Sequence, residues 1–139
     1  MLKTRQSGFT LIEIAIVLVI IGLLLGGVLK GQELITSARV RNLIGQQDGI
    51  KAAFFGFQDR YRAFPGDYST ASTNIKCPPT TCFNGNGDGL IEVETTVNET
   101  GLVWVHLVAA GFLNGNYTMT NITEANSETN TPKNPYNML

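Results

Sequence analysis

The chain has 139 residues, which is enough for one domain and a membrane anchor. Its net charge is −1, but two of its ten Lys and Arg residues, Lys3 and Arg5, lie before residue 9. From Phe9 onwards, eight cationic residues stand against eleven anionic ones, for a net charge of −3. This acidic balance argues against a nucleic-acid-binding surface, because contacts to phosphates need clustered Lys and Arg.

Residues 9–29 form an apolar run that contains a single charge, Glu13. At a rise of about 1.5 Å per residue, a helix of this length crosses the hydrocarbon core of a bilayer. A secretory signal peptide has a shorter apolar stretch and a small-residue cleavage site, neither of which is present here. The run therefore predicts a membrane-inserted chain with a short basic leader. An uncleaved signal anchor is the alternative.

Glu13 is the unusual residue of this run. A carboxylate inside a transmembrane segment costs roughly 2.5–3.5 kcal/mol, so it normally has a partner. We expect that partner to be a cation, and the run contains none. If the chain were cut after Gly8, the new α-amino group of Phe9 in a neighbouring copy could pair with Glu13. Alternatively, the Glu13 carboxylate simply reaches the membrane interface.

The sequence Gly8-Phe9-Thr10-Leu11-Ile12-Glu13, with the apolar residues that follow, resembles the N-terminus of type IV prepilins and type II secretion pseudopilins. The resemblance implies that prepilin peptidase cuts between Gly8 and Phe9 and that Phe9 is N-methylated. It also implies that Glu13 neutralises the N-terminus of a neighbouring subunit during assembly. The implied partners are copies of the chain or other pilins, the peptidase and an inner-membrane assembly platform. The implied location is the bacterial inner membrane, with a single pass and the head outside the cytoplasm, and then a periplasmic or extracellular filament (a fimbrium or a pseudopilus).

The helical pattern continues beyond Lys30 as one apolar stripe, for which we predict core packing. The stripe consists of Ile50, Phe54, Phe57, Tyr61 and Phe64. Pro65 predicts the end of the helix, since the residue before a proline leaves the helical region. The glycines in 22–31 predict the weakest part of this helix.

Cys77 and Cys82 enclose a four-residue loop. Outside the cytoplasm two thiols this close are expected to be oxidised, so we predict a structural disulfide between them.

The segment that follows, 84–91, has oxygen side chains at alternate positions and then a glycine, like the front of an EF-hand-type calcium loop. The candidate ligands are Asn84, Asn86 and Asp88. Thr95 occupies the position of the usual closing glutamate, so Glu92 or Glu94 would have to complete the site. Major pseudopilins include calcium sites, which favours calcium without assigning residues. A glycine-rich turn with Asx hydrogen bonds is the alternative, and no cofactor is certain.

In the remaining chain we predict a strand at 90–97, a short helix at 101–110 ended by Gly111, and a strand at 117–122. His106, the only histidine, has no nearby Ser, Cys or Asp partner for nucleophilic chemistry. We expect it at a surface or interface, and we expect no enzymatic activity.

These observations predict an α+β fold, with one long N-terminal helix packed against a small head that contains a short antiparallel sheet. The predicted division is 1–8 as a leader that is removed, 9–30 as a transmembrane and assembly helix, 31–64 as its amphipathic continuation, and 65–139 as the head. The predicted function is that of a structural subunit of a type IV pilus or pseudopilus-like filament. Two alternatives are a low-abundance subunit whose head binds a ligand, a surface or DNA, and a signal-anchored protein that does not assemble.

Overall fold

The computed structural model describes residues 8–76 and 82–136 and contains three helices in these ranges. Helix α1 spans Leu11–Tyr61, α2 spans Ala71–Asn74 and α3 spans Glu99–Ala109. The chain divides into two compact units, one ending at Val40 and the other comprising Arg41–Leu139.

The first unit consists of the apolar part of α1. Its large side chains are exposed along the whole segment: Leu11 is 92% exposed and Leu23 is 73% exposed. The backbone stays helical through 22–31, the segment predicted to be weakest. This is the one helix in the described residues that is long and apolar enough to cross a membrane.

The second unit has its core on the last turns of α1. Phe57 is fully buried, and it lies in a cluster with Ala53, Val103 and Leu107. Tyr61 packs on the same cluster, so this part of the predicted apolar stripe does face the core. The helix ends at Tyr61, three residues before the predicted end at residue 64, because Arg62 adopts a left-handed φ of 56°.

Helix α3 supplies the other side of this core. Its N-cap is Asn98, whose side chain accepts a hydrogen bond from the amide of Gly101. Its buried residues contact two apolar clusters, the one around Phe57 and a second one around Leu102 and Met119. The helix begins two residues earlier than the sequence predicts, and the chain leaves it at Gly111 with a φ of 81°.

The predicted α+β class is wrong, because the described ranges contain no sheet. They are 53% helical, and their strand content is limited to one isolated antiparallel bridge between Val93 and Asn98. In the segment 85–92, side-chain carboxylates rather than a neighbouring strand accept several backbone amides. The apolar alternation at 90–97 also fails to define a buried face, since Val93 is 66% exposed.

The second predicted strand, 117–122, is irregular as well. Thr118 donates its amide to Thr129, and the Ile122 carbonyl accepts from Asn98, but these single bonds do not extend into a ladder. Met119 is nevertheless fully buried against α3. The tail is therefore fixed by side-chain burial rather than by strand pairing.

Candidate functional site

The processing site predicted at Gly8 and Phe9 lies just before α1, in non-helical backbone. Both residues are exposed, and the Phe9 side chain is 85% exposed. A Cβ built on Gly8 would meet no atom within 4 Å. Within the described residues, no side chain therefore packs on the peptide bond between Gly8 and Phe9.

Glu13 lies in the first turn of α1 and is bound by Thr10. One carboxylate oxygen, Oε2, accepts from the Thr10 amide at 2.8 Å and from the Thr10 hydroxyl at 2.7 Å. In return, the Glu13 amide donates to Thr10 Oγ1 at 3.4 Å. This reciprocal pair is a capping box, which satisfies amide groups that a helix start leaves without partners.

The capping box gives Glu13 a partner within its own chain. A pairing with a cation from a neighbouring copy stays a prediction, because the Thr10 donors occupy one carboxylate oxygen only. The Thr-x-x-Glu spacing was a sufficient signal for this, and Thr10 is the site residue that the sequence reasoning missed.

None of the residues in 8–76 and 82–136 covers the apolar half of α1. No residue of its most apolar stretch is buried. The glycines at 22, 26, 27 and 31 have no atoms within 4 Å of a built Cβ, so another helix could approach closely there. Exposed apolar surface of this extent indicates contact with a membrane or with other protein chains.

In the head, three carboxylates converge: Asp67, Asp88 and Glu99. One oxygen of each lies within 4.8 Å of the others. Asp67 is 5% exposed and Glu99 is fully buried, whereas Asp88 is exposed. Asp67 lies in the segment after α1 and Glu99 begins α3, so the loop that carries Asp88 lies between that segment and α3.

Backbone amides of the loop bind the two buried carboxylates. Asp67 accepts from Gly87 at 2.6 Å and from Gly89 at 3.0 Å, and Glu99 accepts from Asn86 at 2.8 Å. Burial raises the pKa of the Glu99 carboxyl, and the amide of Asn86 partly offsets this. The negative charges of Asp67 and Asp88 raise it further.

Of the three predicted calcium ligands, Asp88 contributes a carboxylate to this cluster, and Asn86 donates its side-chain amide to Asp88 Oδ2 at 3.2 Å. Asn84 Oδ1 accepts from the Ser72 amide at 2.8 Å, and Asn86 Oδ1 accepts from the Asp88 amide at 3.0 Å. The Asn86 bond is a local Asx bond of the alternative interpretation, a glycine-rich turn, whereas the Asn84 bond joins the loop to α2.

A second group of carboxylates joins Asp88 to Glu92 and Glu94, the residues expected to complete a calcium site. Carboxylate oxygens are suitable calcium ligands. Sequence reasoning missed Asp67 and Glu99 because they are distant from the loop in the chain. Calcium binding itself stays a prediction.

His106 is fully buried, so our expectation of a surface or interface position is wrong. Its Nδ1 accepts from the Gly66 amide at 2.9 Å, and its Nε2 lies 2.9 Å from the Phe83 carbonyl. The ring stacks on Phe57 with an interplanar angle of 9° and centroids 6.2 Å apart. Burial lowers the pKa of His106 to about 4, so the ring is neutral at pH 7 and donates through Nε2 to Phe83. His106 thus connects three segments of the head.

Cys82 is buried in the cluster around Phe57, at 4% exposure. Its predicted disulfide partner, Cys77, lies outside the described residues. The disulfide between Cys77 and Cys82 stays a prediction.

Comparison with known families gives one match. Residues 3–29 match the family model described as the prokaryotic N-terminal methylation motif. This is the signature of type IV prepilins and pseudopilins, so the resemblance noted in the sequence is confirmed for this part of the chain. Compared with curated proteins and with solved structures, the chain has no significant match in either. The motif and the single long apolar helix are consistent with membrane anchoring.

Proposed function

We propose that this chain is a structural subunit of a type IV pilus or pseudopilus-like filament. Prepilin peptidase would remove the leader between Gly8 and Phe9 and methylate the new N-terminus. The observation that carries the proposal is the methylation motif at 3–29, on a helix whose apolar surface is uncovered in the part of the chain that the structure describes. The role is mechanical rather than catalytic.

The uncovered apolar segment of α1 would occupy two environments in turn, first the membrane and then the filament. Before assembly, the apolar segment lies in the inner membrane with the head outside the cytoplasm. During assembly it leaves the lipid for a bundle of like helices, in which the glycines at 22, 26, 27 and 31 permit close packing. Lipid and helix bundle are both apolar, so apolar contacts alone would not define the position of one subunit along its neighbour. Polar contacts at the start of the helix would define that position.

Glu13 is the polar group suited to that role. In the isolated chain its carboxylate bonds to Thr10. In a filament, the amino group of Phe9 from a neighbouring subunit would approach the same carboxylate, whose second oxygen has no partner in the described residues. A charged amine is a stronger donor than the Thr10 groups, so this contact would favour the assembled state.

The test is filament formation by the variant Glu13→Ala, with Glu33→Ala as the matched control. Glu33 is a carboxylate on the same helix that is 69% exposed and pairs with Lys30, so it controls for the loss of a helix carboxylate. We expect Glu13→Ala to be processed normally but to form few or no filaments, and Glu33→Ala to form them at the wild-type level. Normal filaments from Glu13→Ala would contradict the assembly role of this residue.

The same preparation separates the proposed role from that of a low-abundance subunit. A structural subunit is expected to be a major component of sheared filaments. Recovery of a few copies per filament would favour a ligand-binding role for the head instead.

A further inference from the structure

The sequence contains three Asn-Gly pairs, at 84–85, 86–87 and 114–115. In such a pair, the glycine nitrogen can attack the side-chain carbonyl carbon of the asparagine, because glycine has no side chain that hinders the approach. The reaction needs a free asparagine amide and a glycine nitrogen that is able to move. The structure provides these conditions to different degrees at the three pairs.

The first two pairs are held by hydrogen bonds. The Gly85 amide donates to the Tyr68 carbonyl at 3.1 Å, and Asn84 Oδ1 accepts from Ser72. The Gly87 amide donates to the buried carboxylate of Asp67 at 2.6 Å. Each glycine nitrogen must break its bond before it can attack, and this requires a local opening of the loop.

The third pair, Asn114 and Gly115, has none of these restraints. Both residues are exposed, and neither the Asn114 side chain nor the Gly115 amide has a hydrogen-bond partner in the ranges 8–76 and 82–136. The glycine is also required by the fold. Its φ is 153°, and a Cβ at this position would lie 2.7 Å from the Tyr117 ring. The fold therefore favours glycine at position 115, and glycine is the residue that hinders attack on the Asn114 side chain least.

We propose that Asn114 is a site of spontaneous deamidation in the folded protein. The Gly115 nitrogen attacks Cγ of Asn114, the new N–Cγ bond replaces the Cγ–Nδ2 bond, and ammonia leaves with the proton of the Gly115 amide. The resulting succinimide takes up one water molecule and opens to aspartate or isoaspartate at position 114. No oxidant or enzyme is needed, and each converted chain gains one negative charge.

Conversion to isoaspartate also has a structural effect. Position 114 lies between residues that are packed on different parts of the core, with Phe112 and Leu113 on the cluster around Phe57 and Tyr117 on the cluster around Met119. Isoaspartate adds one carbon to the backbone between these anchors. Deamidated chains are therefore expected to carry one more negative charge than unmodified chains. Those that contain isoaspartate are also expected to have a longer backbone between the two clusters.

The experiment uses the full-length chain in detergent, incubated at mildly alkaline pH and sampled over time. Each conversion releases ammonia and takes up water, so it changes the peptide mass by the difference between these two molecules. Mass spectrometry with peptide fragmentation assigns this mass change to a residue. In the folded chain, we expect Asn114 to convert at least about tenfold faster than Asn84 and Asn86, since these must wait for local opening. The same chain in urea is the reference, where all three positions should convert at similar rates.

Two variants complete the test. Asn114→Gln removes the reactive side chain and should abolish the mass change at this position. Asp67→Ala removes the acceptor of the Gly87 amide and should accelerate conversion of Asn86 while leaving Asn114 unchanged. The proposal is overturned if the three positions convert equally in the folded chain. It is also overturned if folding protects Asn114 as strongly as it protects the other two.

Discussion

The buried imidazole of His106 makes the stability of the head depend on pH. Burial places its pKa at about 4, against an ordinary value of 6.5. Above pH 6.5 the ring is neutral in both the folded and the unfolded chain, so its full contribution is present. As the pH falls below 6.5, the unfolded chain takes up a proton first, and the folded state loses stability until the folded pKa is reached.

The magnitude follows from the two pKa values. At 1.36 kcal/mol per unit, the interval from 6.5 to about 4 corresponds to roughly 3 kcal/mol, lost at about 1.4 kcal/mol per pH unit. This is a large share of the 5–15 kcal/mol or so that stabilises an ordinary domain. Glu99 has the opposite effect on stability. Because its pKa is raised in the folded state, the folded chain takes up a proton before the unfolded chain as the pH falls, and this stabilises the folded state.

A comparison of the wild type with His106→Gln separates the pH dependence of stability that comes from the histidine from that which comes from the carboxylates. The assay is urea unfolding of the full chain in detergent, followed by the fluorescence of Trp104, the only tryptophan, which lies on α3 against Tyr117. At pH 7.5 the variant should be less stable, since glutamine cannot reproduce the ring geometry that bonds Gly66 and Phe83 together, at a cost of about 1–3 kcal/mol. Below pH 6.5 the wild type loses stability through His106 and the variant does not. The difference between their free energies of unfolding should therefore narrow by about 1.4 kcal/mol per pH unit. A difference that stays constant from pH 7.5 to 4.5 would refute the reasoning.

Two further predictions concern the core of the head, and the same fluorescence assay measures both. Phe57→Ala should destabilise it by about 3–5 kcal/mol, because the fully buried ring leaves a cavity between α1 and α3. The control Phe55→Ala, at a ring that is 64% exposed, should cost far less, and equal losses would contradict the assigned core. Asn98→Ala should cost about 0.5–2 kcal/mol, since it removes the cap of α3 from Gly101; an unchanged unfolding midpoint would disprove that role.

The sequence was sufficient to predict the parts of the structure that depend on local pattern. The apolar run and the spacing of Phe57 and Tyr61 predict α1, and Pro65 predicts only that the helix stops before residue 65. The helix at α3 also follows from its apolar spacing. These features depend on residues three or four apart, whose neighbours are set by the helix itself.

The errors lie where contacts join distant segments. The bond between the Gly87 amide and Asp67 spans twenty residues, and no local pattern indicates it. Such side-chain acceptors replace the strand ladder that alternation at 90–97 suggested. The burial of His106 has the same origin, because its partners Gly66 and Phe83 come from two other segments of the head.

The central claim is that the chain is processed as a prepilin, and the mass and N-terminal sequence of the membrane-extracted protein test it most directly. The protein would be taken from cells with and without prepilin peptidase. We predict a chain that starts at N-methylated Phe9 only when the peptidase is present. A chain that starts at Met1 in both preparations would contradict the claim and would identify a signal-anchored protein that does not assemble.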